Sequence, residues 1–449
     1  MSEEASLSAT SARPKTTLLR PSSRGRRLRM TVVHGTGADH MSIYYFLKTV
    51  FEGLARREFR ASLEDPFYEP NDRLLVRRGN RIVGHVQVTH RVMQFGPLQI
   101  PVAGLSDLAV SPEWRGRGIG DRLLEAAEEH MLRSGALVGL MRTRVPHFFR
   151  RSGWALCGRH CHSRADARAV LSDLLDRGIR RRRRGLHIRP WRYWERAALA
   201  RIYDQNVGQA HGPLLRTDAY WQWLVGRKAY DQIHVALEGP GLLDLDESRT
   251  RIVGYAITRG EQIVELFAEP KRRKTAAELL ARACADAIEH DRQGVLLHAP
   301  PANSLHHVFK RAGGTRYRGR ADQGEVYMAR LSAPMKLLGL LAEEFHRRGE
   351  AAELSVPSEL GLLVDGKKYR IALTRRTARI VSRRLPKDYL RMNVADFTRL
   401  VLGQLDWSAA MDEGRLNAST ARAKKMGRIL LPHLPLWHPP LDNLRAGFV

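Results

Sequence analysis

Cysteines and long apolar runs are both scarce in this chain of 449 residues. No apolar stretch reaches the roughly 18 residues that a membrane span requires, and the N-terminal residues contain no apolar signal core. The three cysteines, Cys157, Cys161 and Cys284, are too few for a disulfide framework. Together these absences predict a cytoplasmic protein in a reducing compartment.

Lysine is also scarce, because only 12 of the 75 basic residues are lysine and the rest are arginine. The net charge of +28 raises the question of nucleic acid, whose phosphates bind clustered basic side chains. Arginine is spread through every segment, however, and the two dense clusters lie in residues 1–29 and in Arg180–Arg184. We interpret the first as a disordered basic tail and the second as a solvated linker, which makes nucleic acid the less favoured partner.

The remaining composition is that of a folded protein with several domains. Hydrophobic residues make up 43% of the chain, and its length allows two to four domains. The excess positive charge also repels polycations over a Debye length of about 8 Å at physiological salt. A strongly polycationic ligand is therefore not expected, unless local acidic lining of its binding site overcomes this field, for which the candidates are Glu52, Glu64, Asp65, Glu69 and Asp107.

The clearest chemical signal lies in residues 105–120, which read LSDLAVSPEWRGRGIG. The stretch begins as a strand, passes through glycines after Pro112 and enters a helix with apolar residues at helical spacing from Ile119 onward. Glycines allow backbone N–H groups to approach a phosphate, and the start of a helix favours negative charge. We therefore predict a binding site for a phosphorylated cofactor.

The spacing of the glycines narrows the choice of cofactor. Neither the dinucleotide pattern Gly-x-Gly-x-x-Gly nor the P-loop pattern is present. Instead, Arg115-x-x-Gly118-x-Gly120 after a Leu-Ala-Val strand resembles the pyrophosphate motif of the GNAT superfamily of acetyl-CoA-dependent N-acetyltransferases. The resemblance implies that the backbone of Leu108 and Val110 pairs with the pantetheine arm. It assigns the pyrophosphate to Arg115, Arg117, Gly118, Ile119 and Gly120.

The order of elements around this motif predicts a mixed-sheet domain over residues 30–163. A short strand and a helix precede three long strands, and the motif helix is followed by a strand, a short helix from about Pro146 and a final strand near Trp154–His162. By resemblance, the two central strands that end at Val110 and Met141 splay apart, and the cofactor arm enters between them.

A second segment, residues 186–331, repeats this plan. Leu266–Pro270 lies over Leu108–Pro112 in a direct comparison, and Phe309–Gly313 lies over Phe149–Gly153. In the same alignment, the three motif glycines are replaced by Lys274, Ala276 and Glu278. Side chains at these positions would obstruct a pyrophosphate, so we predict that this copy binds no cofactor. Residues 164–185 are interpreted as an Arg-rich linker between the copies.

The pattern changes again over residues 332–449. A helix over Met335–Phe345, a hairpin turning at Asp365-Gly366 and a helix over Asn393–Gly403 resemble the sterol carrier protein fold. The predicted class is thus α/β (α+β), with two tandem GNAT-type domains before a sterol-carrier-like domain. This order matches the enhanced intracellular survival (Eis) family of acetyltransferases. The family implies a small-molecule or peptide amine acceptor, a broad cavity between the domains and often a homohexamer.

Candidate catalysts follow from the GNAT reaction, in which an amine attacks the thioester directly and the leaving thiolate needs a proton. By resemblance, the Eis family uses a tyrosine as acid and its terminal carboxylate as base. The tyrosine position aligns with Phe149, which has no proton to give. His147 could supply the proton, although a histidine at a helix start is more often a cap or surface group. The carboxylate of Val449 is the candidate base, and Asp107 could act as base directly or through water, its other interpretation being hydrogen bonding within the sheet.

Three further interpretations are alternatives to an acetyltransferase without a metal. Cys157, His160, Cys161 and His162 share one strand without a distant second pair, so no metal site is predicted. A non-catalytic acyl-CoA-binding or sensor protein is the main alternative function, in which Phe149 marks lost catalysis. A basic nucleic-acid-associated protein is the third. The sequence does not identify the amine acceptor.

Overall fold

The computed structural model describes residues 31–178, 186–239, 251–382 and 384–443. Its strands are β1 (Val32–His34), β2 (Arg73–Arg78), β3 (Arg81–Phe95), β4 (Leu98–Val110), β5 (Val138–Thr143), β6 (Ala155–Leu156), β7 (His160–Asp166), β8 (Leu186–Pro190), β9 (His211–Leu214), β10 (Gln232–Glu238), β11 (Arg251–Arg259), β12 (Gln262–Ala268), β13 (Gly294–His298), β14 (Thr315–Gly319), β15 (Ala321–Asp322), β16 (Glu325–Leu331), β17 (Ser358–Val364), β18 (Lys367–Leu373), β19 (Ala378–Val381), β20 (Tyr389–Met392) and β21 (Leu416–Ala418).

The helices surround the three sheets that these strands form. They are α1 (His40–Val50), α2 (Arg56–Leu63), α3 (Ile119–Arg133), α4 (Pro146–Arg150), α5 (Ala167–Asp176), α6 (Arg196–Val207), α7 (Asp218–Gly226), α8 (Arg273–Glu289), α9 (Leu305–Arg311), α10 (Pro334–Leu340), α11 (Ala342–Ala351), α12 (Val394–Val401), α13 (Trp407–Asp412) and α14 (Ala421–Leu430). Within the described ranges, none of these helices combines the length and the apolar character that crossing a membrane demands. The predicted mixed α/β class is confirmed.

The first sheet has the order β1-β2-β3-β4-β5-β16-β15, with β6 paired to β16 and β9 to β3. Helix α3 packs on it through five buried side chains at helical spacing, namely Ile119, Leu123, Leu124, Ala127 and Met131. Gly84 on β3 permits the close approach, since an added Cβ would lie 2.8 Å from Ile119 and 2.9 Å from Leu123. The helix is therefore held against the sheet along its whole length.

The second sheet has the order β14-β7-β13-β12-β11-β10-β8 and repeats the same packing. Helix α8 lies on β11, where Gly254 takes the place of Gly84. An added Cβ at Gly254 would lie 2.9 Å from Leu279 and 3.0 Å from Thr275. The internal repeat that the sequence predicts is thus present in three dimensions.

The two sheets exchange strands, which the sequence analysis did not predict. The final strand expected near Trp154–His162 is divided at Gly158, whose φ of +92° turns the chain. Residues 155–156 stay in the first sheet, whereas β7 lies between β13 and β14 of the second. In return, β16 pairs with β5 of the first sheet.

Residues 164–178, the described part of the segment predicted as an Arg-rich linker, belong to the second unit. Helix α5 lies within this range and contributes Ala167, Val170 and Leu174 to the apolar core beneath the second sheet. Because these buried side chains pack against the second sheet, the linker assignment is wrong for residues 164–178. The run Arg180–Arg184 and the tail at residues 1–29 lie outside the described residues.

The third sheet, β19-β18-β17-β20-β21, packs with its helices against the first sheet through one shared core. The predicted hairpin is confirmed, with Asp365 and Gly366 at φ of +44° and +84°. Asn393 caps α12 by accepting the Asp396 N–H at 2.8 Å. The single helix expected over residues 335–345 is two helices, α10 and α11. The likeness to the sterol carrier protein fold stays a prediction.

Candidate active site

The two central strands of the first sheet part in the way the resemblance implies. Strands β4 and β5 pair in parallel over only three residues, ending at Gly104 and Leu140. Both strands then continue, to Val110 and Thr143, without pairing further with each other. A cavity of about 670 Å³ opens at this point, lined by Gly104–Asp107 on β4 and Leu140–Arg142 on β5.

A β-bulge shapes the β4 wall of the cavity. Pairing with β3 moves from His85–Ala109 to Gln87–Ser106, which leaves Asp107 and Leu108 outside the ladder. Asp107 adopts φ of +50°, an uncommon conformation for a residue with a side chain. Such bulges redirect side chains next to functional sites. Here the bulge places Asp107 on the cavity wall.

A buried histidine holds the bulge in place. His85 is fully buried, its Nδ1 lies 2.9 Å from the Asp107 carbonyl oxygen, and its Nε2 lies 3.2 Å from an Arg73 guanidinium nitrogen. Burial, with help from Arg73, lowers the pKa of His85 to about 4. The neutral ring therefore donates from Nδ1 to Asp107 and accepts from Arg73 at Nε2.

The predicted phosphate-binding residues come together at the start of α3. After a turn over Pro112–Trp114, residues 115–118 form an exposed loop, and Gly118 is the N-cap residue of the helix. Gly116 and Gly118 have φ of +74° and +77°, so both positions favour glycine. Their Cβ positions face open space to at least 4 Å. The loop is thus shaped and accessible for a pyrophosphate.

The loop arginines are oriented by neighbours on the same loop. Arg115 Nε donates to the Val110 carbonyl at 3.2 Å. Arg117 lies over the Trp114 ring at 4.7 Å and donates to the Glu113 carbonyl at 3.3 Å. Both guanidinium groups are therefore held near the helix start, where an anion is favoured.

The predicted catalytic residues are placed unequally. Asp107 lines the cavity, whereas His147 is exposed at the start of α4 and is not part of the cavity wall. Phe149 is 4% exposed and packs edge-on against Phe148 and Trp154 in the apolar core. Val449 lies outside the described residues.

Several cavity residues were missed by sequence reasoning because other parts of the chain supply them. Tyr327 and Glu325 come from the exchanged strand β16, where Tyr327 pairs with Arg142 of β5. Burial raises the pKa of Tyr327, so its hydroxyl retains a proton. His438, from the C-terminal segment, lies 5.2 Å from the Tyr327 ring. No local pattern in the sequence marks these residues as neighbours.

The C-terminal segment is anchored beside the cavity by two buried arginines. Arg216 donates to both carboxylate oxygens of Asp442 at 3.0 Å, and Arg227 donates to the Leu441 carbonyl. His438, Pro439 and Asp442 then form part of the cavity wall. The last described residues of the chain are therefore held at the site.

The equivalent position in the second unit is filled by the same ion-pair network. Glu265 corresponds to Asp107 and is 1% exposed. It accepts hydrogen bonds from Arg216 at 2.7 and 2.9 Å and from the Tyr255 hydroxyl at 2.7 Å. Where the first unit has a cavity, the second has a closed cluster of charges.

The loop before α8 is also shorter than its counterpart. Gly84 pairs with Val110 and Gly254 with Ala268, and the two glycines contact Ile119 and Thr275 respectively. Ile119 is the ninth residue after Val110, but Thr275 is only the seventh residue after Ala268. The direct alignment of Gly118 with Ala276 is therefore wrong by two residues, because it contains no gap. Lys274 is the structural counterpart of Gly118.

Comparison with known proteins agrees with this geometry. Residues 32–157 match the family model described as "Acetyltransferase (GNAT) domain". These residues form a GNAT acetyltransferase domain. The GNAT domain contains the bulge, the parting strands and the complete loop, and it confirms the prediction of an acetyltransferase. No curated protein matches the chain in sequence.

Solved structures match the fold over most of the chain. A GCN5-related N-acetyltransferase from Kribbella flavida has 17% identity and a TM-score of 0.69, with 91% of this chain and 97% of that chain covered. A similar enzyme from Anabaena variabilis has 15% identity and a TM-score of 0.70, with coverage of 91% and 99%. Eis1 from Mycobacterium abscessus has 12% identity and a TM-score of 0.62, with coverage of 91% and 99%. At these identities the likeness concerns the fold.

Proposed function

We propose that the protein transfers an acetyl group from acetyl-CoA to the amine of a small molecule or peptide bound in the cavity. The observation that carries this proposal is the continuity of β4 with the loop. The same strand forms the cavity wall at Asp107 and leads directly into the exposed loop at Arg115–Gly118. A cofactor with its pyrophosphate on the loop extends along the open edge of β4 into the cavity.

Each part of the cofactor has a proposed partner. Backbone groups of Leu108 and Val110 pair with the pantetheine arm, since β5 no longer pairs with β4 at that level. Arg115 and Arg117, together with the backbone of Gly118, Ile119 and Gly120, hold the pyrophosphate. Phe148 closes one side, because its ring lies 3.2 Å from the position of a Cβ at Gly120.

The reaction requires two proton transfers. The amine nitrogen forms a bond to the thioester carbon, the carbon–sulfur bond breaks, the amine loses a proton and the thiolate gains one. We propose the terminal carboxylate of Val449 as the base. Asp442 lines the cavity, and the seven residues that follow it can span about 23 Å when extended. Asp107 on the cavity wall is the alternative base.

The proton for the thiolate needs a donor other than Phe149. Because His147 lies outside the cavity wall, we propose Tyr327, which lines the cavity and whose hydroxyl keeps its proton. Replacing Tyr327 by phenylalanine is expected to lower kcat and to leave acetyl-CoA binding unchanged. An unchanged kcat would leave water as the donor.

The charge of the cavity indicates which acceptors fit. Two of its carboxylates, Asp65 and Glu325, are already paired with Arg91 and Arg142. A third, Asp442, accepts hydrogen bonds from Arg216, which also pairs with Glu265. Few negative charges remain to offset the excess positive charge of the chain, so we propose an acceptor with one amine rather than a polycation.

Turnover is the experiment that tests this function. Full-length protein is incubated with acetyl-CoA and a panel of amines, including monoamines, peptides and one polyamine, and release of the CoA thiol is measured. Acceptor-dependent release supports the proposal. Tight acetyl-CoA binding without release for any amine would instead support the acyl-CoA sensor, which the burial of Phe149 at the expected tyrosine position favours.

The oligomeric state and the location of the protein remain part of the proposal. The Eis resemblance implies a homo-oligomer, often a hexamer, in the cytoplasm. Sedimentation of the purified chain measures the first, and a single monomeric species would contradict it.

A further inference from the structure

Three metal-ligating side chains converge in the first unit, away from the cavity. The Asp72 carboxylate oxygen Oδ1 lies 3.0 Å from His90 Nε2 and 2.9 Å from His130 Nε2. All three donor atoms lie within 4.8 Å of one another. In the described part of the chain, no other group of three or more histidine, cysteine or carboxylate side chains meets this condition.

Three separate elements supply these side chains. Asp72 ends a short turn before β2, His90 lies on β3, and His130 lies in the last turn of α3. Neighbouring side chains on a strand point to opposite faces of the sheet. Thr89 and Arg91 line the cavity, so His90 points away from it. The cluster is thus distinct from the proposed acyl-transfer site.

The donor set and its spacing suit a zinc ion. Zinc binds imidazole nitrogen at about 2.0–2.1 Å and carboxylate oxygen at about 2.0–2.2 Å, which in a tetrahedral site separates the donors by about 3.3 Å. The observed separations of 2.9 and 3.0 Å need an expansion of only a few tenths of an ångström. The side chains of Asp72, His130 and His90 are 4%, 13% and 29% exposed, so the pocket is sheltered but open on one side.

A fourth histidine lies at the open side. The His34 ring is centred 5.2 Å from that of His130, and its Nδ1 lies 2.7 Å from the Asn71 carbonyl oxygen. A hydrogen bond from Nδ1 to a carbonyl leaves Nε2 with its lone pair, which is the usual arrangement of a zinc-bound histidine. His34 does not belong to the group of donors that lie within 4.8 Å of one another, so it binds the ion only if its side chain moves, and water can take the same position.

We propose that Asp72, His90 and His130 bind a structural Zn²⁺ ion, with His34 or water as the fourth ligand. This departs from the sequence-based expectation of no metal, which considered only residues 157–162. The ion ties the last turn of α3 to β3 and to the turn before β2. The proposed cofactor loop leads into the first turn of α3. The ion, which binds His130 in the last turn, therefore stabilises the opposite end of the same helix.

The test uses the full-length protein after treatment with a chelator. Isothermal titration with ZnCl₂ is expected to show one site per chain, and Zn²⁺ is expected to raise the melting temperature. The variants His90→Gln and His130→Gln keep an N–H donor toward Asp72 but lose a zinc ligand. Each is expected to weaken binding at least tenfold, the loss that even an outer partner of a metal ligand causes.

A matched control and a second measurement keep the result unambiguous. His307 is an exposed histidine on α9, and His307→Gln should bind Zn²⁺ like the parent. X-ray absorption of the zinc-loaded parent protein should show at least two imidazoles and additional oxygen, independently of whether any variant folds. The proposal would be overturned if the parent bound no zinc, if His90→Gln and His130→Gln bound zinc as tightly as the parent, or if the spectrum showed no imidazole.

Discussion

The first and second sheets share one plan but differ at two places that decide what each can bind. In the first unit, Ile119 lies nine positions after Val110 and the loop between them includes two glycines at positive φ, whereas the counterpart Thr275 lies seven positions after Ala268. The gap between the parting strands is a cavity beside Asp107 in one unit and a buried ion pair at Glu265 in the other. The same fold thus provides the proposed binding site in one unit and supports the C-terminal segment in the other.

The largest expected difference between the two units concerns the loop. Gly118→Glu places a carboxylate and a strained backbone where the pyrophosphate should lie, and it is expected to abolish acetyl-CoA binding. Lys274→Glu introduces the same side chain at the counterpart position of the second unit. Calorimetry should show parental affinity for Lys274→Glu, and a matching loss there would contradict the assignment of one functional loop.

Removal of the chain end should affect catalysis but not binding. Deleting Phe448 and Val449 moves the terminal carboxylate away from its proposed position, and appending residues after Val449 converts the Val449 carboxylate into an amide. We expect kcat to fall by about 10²–10⁴-fold, the usual contribution of a general base, with acetyl-CoA affinity and the melting temperature retained.

An N-terminal extension of equal length is the control for this experiment. Full activity with the C-terminal extension would assign the base to Asp107 instead, and Asp107→Asn would then show the loss.

Amide substitution of the counterparts Asp107 and Glu265 should lower the free energy of unfolding by different amounts. Glu265→Gln weakens the hydrogen bonds from the fully buried Arg216, which keeps Asp442 as a charge partner, and such bonds to a charged group contribute about 1.5–3 kcal/mol each to folding. Asp107 is part-exposed on the cavity wall, so Asp107→Asn should have a much smaller effect on stability. Denaturant unfolding of the two variants measures this, and equal destabilisation would remove the distinction between the units.

The smallest expected difference is a pH dependence at one pair of counterpart positions, because the second unit has histidines of its own whose pKa is lowered by burial, among them His298 with a pKa lowered to about 3. His85 and Tyr255 are counterparts, and only His85 titrates in mild acid. Its folded pKa of about 4 lies below the unfolded value of 6.5, so the unfolded chain binds the proton more readily in this window. Stability from His85 is therefore fully present above pH 6.5 and is lost as the pH falls through about 4.

The variant His85→Asn tests this by removing the titration. Between pH 6.5 and 4 it should lose less stability than the parent, by on the order of 1–3 kcal/mol. An unchanged dependence in denaturant unfolding would show that other buried histidines, such as His438, carry the effect.

The features that sequence reasoning found are those with a local signal. The loop, the long strands, the capped helix at Asn393 and the hairpin at Asp365 each depend on residues that are close in the chain. Helix α2, which forms part of the cavity wall, was missed because its sequence RREFRASL is short and mostly polar, with Phe59 as its one buried residue.

The features that sequence reasoning missed depend on residues far apart in the chain. Tyr327 reaches the cavity through an exchanged strand, Asp442 through an ion pair with Arg216, and His90 and His130 meet only after folding. The two-residue shortening before α8 was hidden because an alignment without gaps cannot reveal a deletion. These contacts follow from tertiary packing, which periodicity and spacing do not encode.

Calorimetric titration of the full-length chain with acetyl-CoA tests the central claim most directly. The geometry of the two units predicts one binding site per chain, with a single binding isotherm that Gly118→Glu removes completely. Two sites per chain, or binding that survives Gly118→Glu, would contradict the claim that only the first unit retains a cofactor site.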